Sequence, residues 1–224
     1  KTAKELLGIF VELQLKNPLL PGWGPVVDGV SLTATPERVF VNGQQKVSAP
    51  TMIGSNRDEL AFWTLSKVEH DCDESCFDTF LNTSMTRDHR PMNESTWTEM
   101  KKLYQFNRTY VYPSDLGNLS TWWWETTRVG TDSVPGLGSC STRNIARIAV
   151  QQQPSTFVYL FAHPTQSRVP LPGDGPGAVT VGHATEIPYA FGNVWAFQAG
   201  YGERELAAKM GGYWISFAIT GNPN

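Results

Sequence analysis

Glu59 and His183 are the two side chains whose type and position best suit acid–base chemistry. Each follows an apolar, strand-like run: residues 47–53 lead to Glu59, and residues 156–161 lead, after a long loop, to His183. Sites of open α/β sheets form just past the C-terminal ends of their strands, so both positions qualify. A histidine takes and returns protons near neutral pH. A carboxylate on its far ring nitrogen fixes the tautomer and stabilises the imidazolium, and in this way a serine hydroxyl becomes a nucleophile. The serine itself is missing from the pattern, since no G-x-S-x-G occurs in the 224 residues. Both candidates also have an ordinary reading. Asn56-Arg-Asp-Glu59 could be a helix cap in which the glutamate reaches back to the cap amide. A single loop histidine commonly does no chemistry.

The remaining reactive residues form weaker constellations. His70, Cys72 and Cys76 could suggest a metal site, but structural zinc needs four ligands and no second cluster follows, so a Cys72–Cys76 disulfide is the expectation. Asp71, Asp73, Glu74 and Asp78 do not have calcium-loop spacing and are read as a solvated face. His89 and His163 have no evident partners. Neither a metal nor a cofactor is expected.

Strands and helices must position the two candidates. Thr2-Ala-Lys-Glu5 is a capping box and opens a helix over residues 2–16, which the Pro- and Gly-rich stretch 18–25 ends in a loop. Val26-Val-Asp-Gly29 is read as a short buried edge entering a turn. A buried strand is expected over 47–53, closing at Gly54-Ser-Asn56, with a helix over 58–66. Residues 67–93 are read as an irregular insertion, and Thr96-Trp-Thr-Glu99 as the box opening a helix to Phe106. Residues 107–121 and 164–182 are read as loops, 122–128 and 144–152 as helices. Thr156-Phe-Val-Tyr-Leu-Phe161 is the most strand-like run, and its unbroken apolarity predicts a sheet covered on both faces. An amphipathic helix from Glu203 carries Leu206, Met210, Tyr213, Trp214 and Phe217 on one stripe, with Gly221 as its stop. Alternating elements without repeats or linkers predict one α/β domain over 1–224.

Composition narrows the class. Hydrophobic residues at 40% and charged residues at 17% suit a packed core, and the net charge of −3 lacks the basic footprint of a nucleic-acid binder. No apolar run approaches the roughly 18 residues of a membrane span. Lys1 in place of Met, and a turn-forming end at Asn222-Pro-Asn224, lead us to expect a piece of a longer protein. Four N-glycosylation sequons cluster at Asn82, Asn93, Asn107 and Asn118, and with the expected disulfide they predict a secretory compartment. Cys140 is left over, as if its partner lay elsewhere.

Four blocks, taken in order, resemble the C-terminal half of type-B carboxylesterases and cholinesterases. Pro25-Val-Val-Asp-Gly29 with Thr35-Pro-Glu37 resembles the family's PVVDG…TPE stretch. Pro50-Thr-Met-Ile-Gly-Ser-Asn-Arg-Asp-Glu59 resembles P-x-x-I-G-x-N-x-D-E-G, with Leu60 in place of the last glycine. Gly182-His-Ala-Thr-Glu-Ile-Pro-Tyr-Ala-Phe-Gly192 resembles H-x-x-E-I-P-Y-V-F-G, and Met210 to Pro223 resembles M-x-x-Y-W-x-x-F-A-x-T-G-x-P. The resemblance implies an α/β-hydrolase fold, Glu59 as triad acid, His183 as triad base and Glu186 as buried support. It places the serine and oxyanion hole upstream, so these residues alone are expected to be inactive. It implies an ester substrate, and for Cys140 a half-cystine partner beyond Asn224. Trp122-Trp-Trp124 is open to two readings, an aromatic substrate platform as in the family's gorges or, more simply, core packing. Catalytically inactive relatives used in adhesion or binding are the alternative to an enzyme.

Overall fold

A computed structural model of the chain describes residues 1–16, 26–43, 47–61, 64, 68–84, 93–104, 119–133, 138–165, 180–193 and 202–224. By internal contact it forms two units, Lys1–Lys46 and Val47–Asn224.

The first unit holds α1 (Ala3–Lys16) and α2 (Pro36–Val41). The capping box forms as expected: Glu5 N–H donates to Thr2 Oγ1 (3.3 Å), and Thr2 N–H to Glu5 Oε2 (2.6 Å). The T-P-E block proves to be a second helix start, with Thr35 as N-cap and proline in the first turn. Val26 and Val27 are exposed, so the buried edge expected there does not exist. Asp28 instead organises a turn, its Oδ1 accepting from the N–H groups of Val30, Ser31 and Leu32 (2.8–2.9 Å) while Gly29 takes φ +75°.

The second unit is built on two parallel strands, β1 (Thr51–Asn56) and β2 (Thr156–Phe161), in register from Thr51 opposite Thr156 to Asn56 opposite Phe161. The boundaries of β2 are those expected. β1 starts after Pro50, which has no N–H for the ladder, and continues through Gly54-Ser55-Asn56, expected to be a turn. Gly54 belongs in the strand because the Tyr159 ring covers it: a Cβ there would stand 2.3 Å from Tyr159 Cδ1. The face that carries Val158 and Leu160 is covered only in part: Ser139 meets Ser55 of β1 there (Oγ to Oγ 3.3 Å), while β2 stays open. Val158 and Leu160 are 54% and 56% exposed, whereas Phe161 is buried against Val181, Tyr189, Ala207 and Met210.

Between the strands lie α3 (Glu74–Ser84), α4 (Glu94–Tyr104), α5 (Thr121–Ser133) and α6 (Ser139–Val150). The segment expected to be irregular thus contains α3. Its acidic composition hides Phe77 and Leu81, four residues apart on one face and fully buried with Val129 of α5. α4 starts earlier than the expected box, capped by Asn93 Oδ1, which accepts from Thr96 N–H (2.8 Å). Helices α5 and α6 are both longer than expected. Of the 58–66 helix, residues 57–60 form a turn, with Ala61 N–H on the Asp58 carbonyl (2.8 Å), and helical pairing starts only with Thr64 N–H on the Leu60 carbonyl (2.9 Å); residues 62, 63 and 65–67 fall outside the described ones. So do the loop at 18–25, Phe106, His89, nearly all of 107–121 and most of 164–182.

Trp123 and Trp124 are fully buried, their rings edge-to-face at 5.2 Å, in a core with Ala61, Val68, Cys72 and Leu119. Core packing is therefore what these two residues do. Ser120 caps their helix, its Oγ accepting from Trp123 N–H (3.0 Å) and donating to the Cys72 carbonyl (2.6 Å). Cys72 and Cys76 form the expected disulfide, which closes a loop with a sequence separation of 4. A loop this short restricts the unfolded chain by about 2 kcal/mol. Cys72→Ser with Cys76→Ser is expected to lower the unfolding midpoint accordingly, and an unchanged midpoint under denaturant would remove the disulfide from the list of stabilising features.

The last elements are α7 (Ile187–Ala190) and α8 (Glu203–Thr220), the latter ending on Gly221 at φ +74° with its N–H on the Phe217 carbonyl (2.8 Å). Met210 and Ala207 are buried, and Leu206 and Trp214 pack beside them. Tyr213 lies off that face and is exposed. Among the described residues no helix is long and apolar enough to cross a membrane.

Candidate active site

Neighbouring parallel strands bring their C-terminal ends together, so the chain leaving β1 meets the chain that returns after β2. Arg57 N–H donates to the Phe161 carbonyl and Asp58 N–H to the Val181 carbonyl, both at 2.9 Å. Val181 N–H answers by donating to Asp58 Oδ2 (2.8 Å). Arg57 lies along the Asp58 carboxylate at 2.7 Å and balances its charge. This cross-strapping places two residues far apart in sequence side by side.

Those residues are Glu59 and His183. Glu59 Oε2 is 2.8 Å from His183 Nδ1, and Glu59 Oε1 accepts from Asn56 N–H at 2.7 Å. The cap reading and the chemical reading of Glu59 are both realised, one on each carboxylate oxygen. An ionised carboxylate only accepts, so Nδ1 carries the proton and Nε2 is the nitrogen not engaged by Glu59. The glutamate is nearly buried while the imidazole is 41% exposed. The hydrogen bond from Glu59 raises the His183 pKa above the usual histidine value; burial opposes this, and the Glu59 and Glu186 charges add to it. Glu186 is half-buried and accepts from Asn56 Nδ2. Among the described residues no group of three or more His, Cys, Asp or Glu could hold a metal.

The whole chain, residues 1–224, matches the model of the Carboxylesterase family. The chain belongs to that family. Over 71 residues it is 42% identical to the human bile salt-activated lipase, a match spanning 31% of this chain and 9% of the lipase. It is 26% identical to the human cocaine esterase over 238 residues, covering 100% of this chain and 37% of that one. Among solved structures, a PNB esterase superposes with a TM-score of 0.61 at 20% identity, and a thermophilic PNB esterase with 0.60 at 18%. Both cover 100% of this chain, which spans 41% of theirs. The fold is therefore that of the α/β-hydrolase esterases, as expected.

In this carboxylesterase-family chain Leu60 replaces the glycine of the acid block without backbone strain, since Ala184 is the one non-glycine residue with positive φ among those described. Its side chain is buried and lies against Gly130, where a Cβ would stand 1.9 Å from Leu60 Cδ2. Cys140 is exposed and forms no disulfide within the chain.

Sequence reading missed three features of the site region. Asn56 also joins the acid segment to the base segment through its side chain, whereas its sequence reading went no further than a turn former and the cap amide that Glu59 reaches. Ala184, directly after His183, takes φ +71°, which no local pattern announces. His163 does have partners: its Nε2 is 3.3 Å from Oε1 of Glu203, a fully buried carboxylate at the start of α8. Tyr189 Oη donates to the same oxygen at 2.7 Å, and Thr165 Oγ1 at 3.2 Å. The acid is favoured there by the helix N-terminus, and it ties β2's exit to α7 and α8. A separation of 40 residues kept this pair out of reach of motif reading.

Proposed function

We propose that this chain supplies the acid and the base of a Ser–Glu–His triad in a secreted serine carboxylic-ester hydrolase. The observation that carries this reading is the 2.8 Å contact between His183 Nδ1 and Glu59 Oε2, with the other glutamate oxygen fixed by the Asn56 amide. With Nδ1–H held by the carboxylate, Nε2 takes the proton of a serine hydroxyl as the oxygen attacks an ester carbonyl. The imidazolium then returns that proton to the departing alkoxide, leaving an acyl-enzyme and an alcohol. Water enters by the same route, and His183 serves again as base and then acid while the carboxylate product leaves. Glu59 stays ionised throughout, orienting the ring and stabilising its charged form.

Serine and oxyanion-hole amides belong, in this proposal, to the rest of one α/β-hydrolase domain, whose crossover helices cover the face left open at Val158 and Leu160. The 224 residues by themselves are accordingly inactive. A secretory compartment is supported by the Cys72–Cys76 disulfide and by the exposed sequon residues Asn82 and Asn93. The relatives' names, a lipase and esterases, support an ester substrate. The test is to treat the full-length protein with a fluorophosphonate and map the labelled peptide. Label on a serine within G-x-S-x-G is the expected result. Folded protein that takes no label, with another residue at that elbow, would make this a cholinesterase-like binding domain that has kept its acid and base.

A further inference from the structure

We infer that Asn56 is a positioning residue that sets the base segment against the acid, an inference that rests on the triad reading above. Asn56 is the last residue of β1 and is 1% exposed. Its backbone N–H holds Glu59 Oε1 (2.7 Å), while its side-chain Nδ2 donates to the Gly182 carbonyl (2.8 Å) and to Glu186. One residue thus fixes the acid through its main chain and the peptide preceding His183 through its side chain. The amide can face only one way, because the Gly182 carbonyl and the Glu186 carboxylate are both acceptors and demand the NH2 group. That orientation leaves Asn56 Oδ1 buried without a hydrogen-bond partner among the described residues. An unsatisfied buried acceptor is costly, so the donor side of the amide must be what keeps this residue in place.

The Gly182 carbonyl closes a tight turn. It accepts from Thr185 N–H (3.2 Å) and Thr185 Oγ1 (2.8 Å) as well as from Asn56. His183 and Ala184 are the central residues of that turn, and Ala184 carries φ +71°. A turn with positive φ at its third residue prefers glycine there, so alanine holds the conformation at a cost. Strain of this kind persists only where surrounding contacts over-determine the backbone. Asn56 supplies one such contact from another strand, and the conformation it enforces is the one that points the His183 ring at Glu59.

The experiment uses the full-length protein and two readouts, kcat against KM on a chromogenic ester and the downfield proton resonance of the His183 Nδ1–H held by Glu59. Asn56→Ala is expected to lower kcat about 10- to 100-fold with KM within about twofold, as for a misplacement of roughly 1 Å. The Nδ1–H resonance should broaden or vanish while the protein stays folded. Adding Ala184→Gly, which lets the turn form without strain, should restore part of kcat and of the resonance. Asn56→Leu, which has the shape of asparagine but offers no donor, replaces the alanine variant if that one does not fold. A folded variant with unchanged kcat and an unchanged resonance would overturn the inference, as would failure of both variants to fold, since Asn56 would then serve stability alone. Wild-type protein that neither hydrolyses esters nor takes a fluorophosphonate would sink the esterase reading instead; loss of the resonance on Asn56→Ala would still establish the positioning role.

Discussion

His183→Ala in the full-length protein is expected to cut kcat by about 10^4- to 10^6-fold while leaving KM nearly unchanged. The size follows from what the ring does. Without a base at Nε2 the serine stays protonated, and without the imidazolium no acid assists the leaving alkoxide. KM barely moves because His183 contributes to the transition state and little to ground-state binding. Fluorophosphonate labelling should fall in step with kcat. The pH dependence supplies an independent check on Glu59. The working base is the neutral imidazole, so activity falls as the pH drops through the His183 pKa, and Glu59 has raised that pKa above the usual histidine value. Glu59→Gln should therefore move the acid limb of the kcat/KM profile to lower pH, besides lowering its plateau. An acid limb that stays in place, or moves upward, would show that Glu59 does not face the titrating group.

Trp123→Ala carries the largest expected effect on stability, a loss of about 3–5 kcal/mol. Its ring is fully buried against Trp124, in a cluster with Ala61, Val68 and Cys72. Removing an indole there leaves a cavity that walls pinned by a disulfide cannot collapse into. The indole N–H has no hydrogen-bond partner among the described residues, so Trp123→Phe forgoes a buried donor as well as some volume, and should cost far less. Equilibrium unfolding in urea distinguishes the two variants. A loss below about 1 kcal/mol for the alanine variant would mean that the site repacks or is wet.

What could be read from the sequence follows the range of the forces involved. β2 was legible because a β-branched and aromatic run with no breaker competes with nothing else. Thr2 with Glu5, and Gly221 at the end of α8, were legible because caps act within one turn of helix. β1 was misplaced because Gly54, a turn former by local preference, is held in the strand by a ring from 105 residues away. α3 was lost under its own acidic surface, which hides the fully buried Phe77 and Leu81 and the partly buried Phe80. The site divides in the same way. Glu59 and His183 stood out by type and by block, and the Asn56 cap amide by local pattern, whereas the Asn56 side-chain bonds, Ala184 and the His163–Glu203 pair depend on which distant segments meet.

The contact between Leu60 and Gly130 also bears on history. A methyl group at 130 would overlap the Leu60 side chain, whereas glycine at 60 removes every atom it would meet. The two positions therefore constrain the order in which a lineage can change. Glycine at 130 lets leucine enter at 60 without a shift, and a side chain gained at 130 afterwards has to move the leucine. Among relatives, residue size at these two positions should vary inversely, and the rare chain that is large at both should have moved α5 outward to fit.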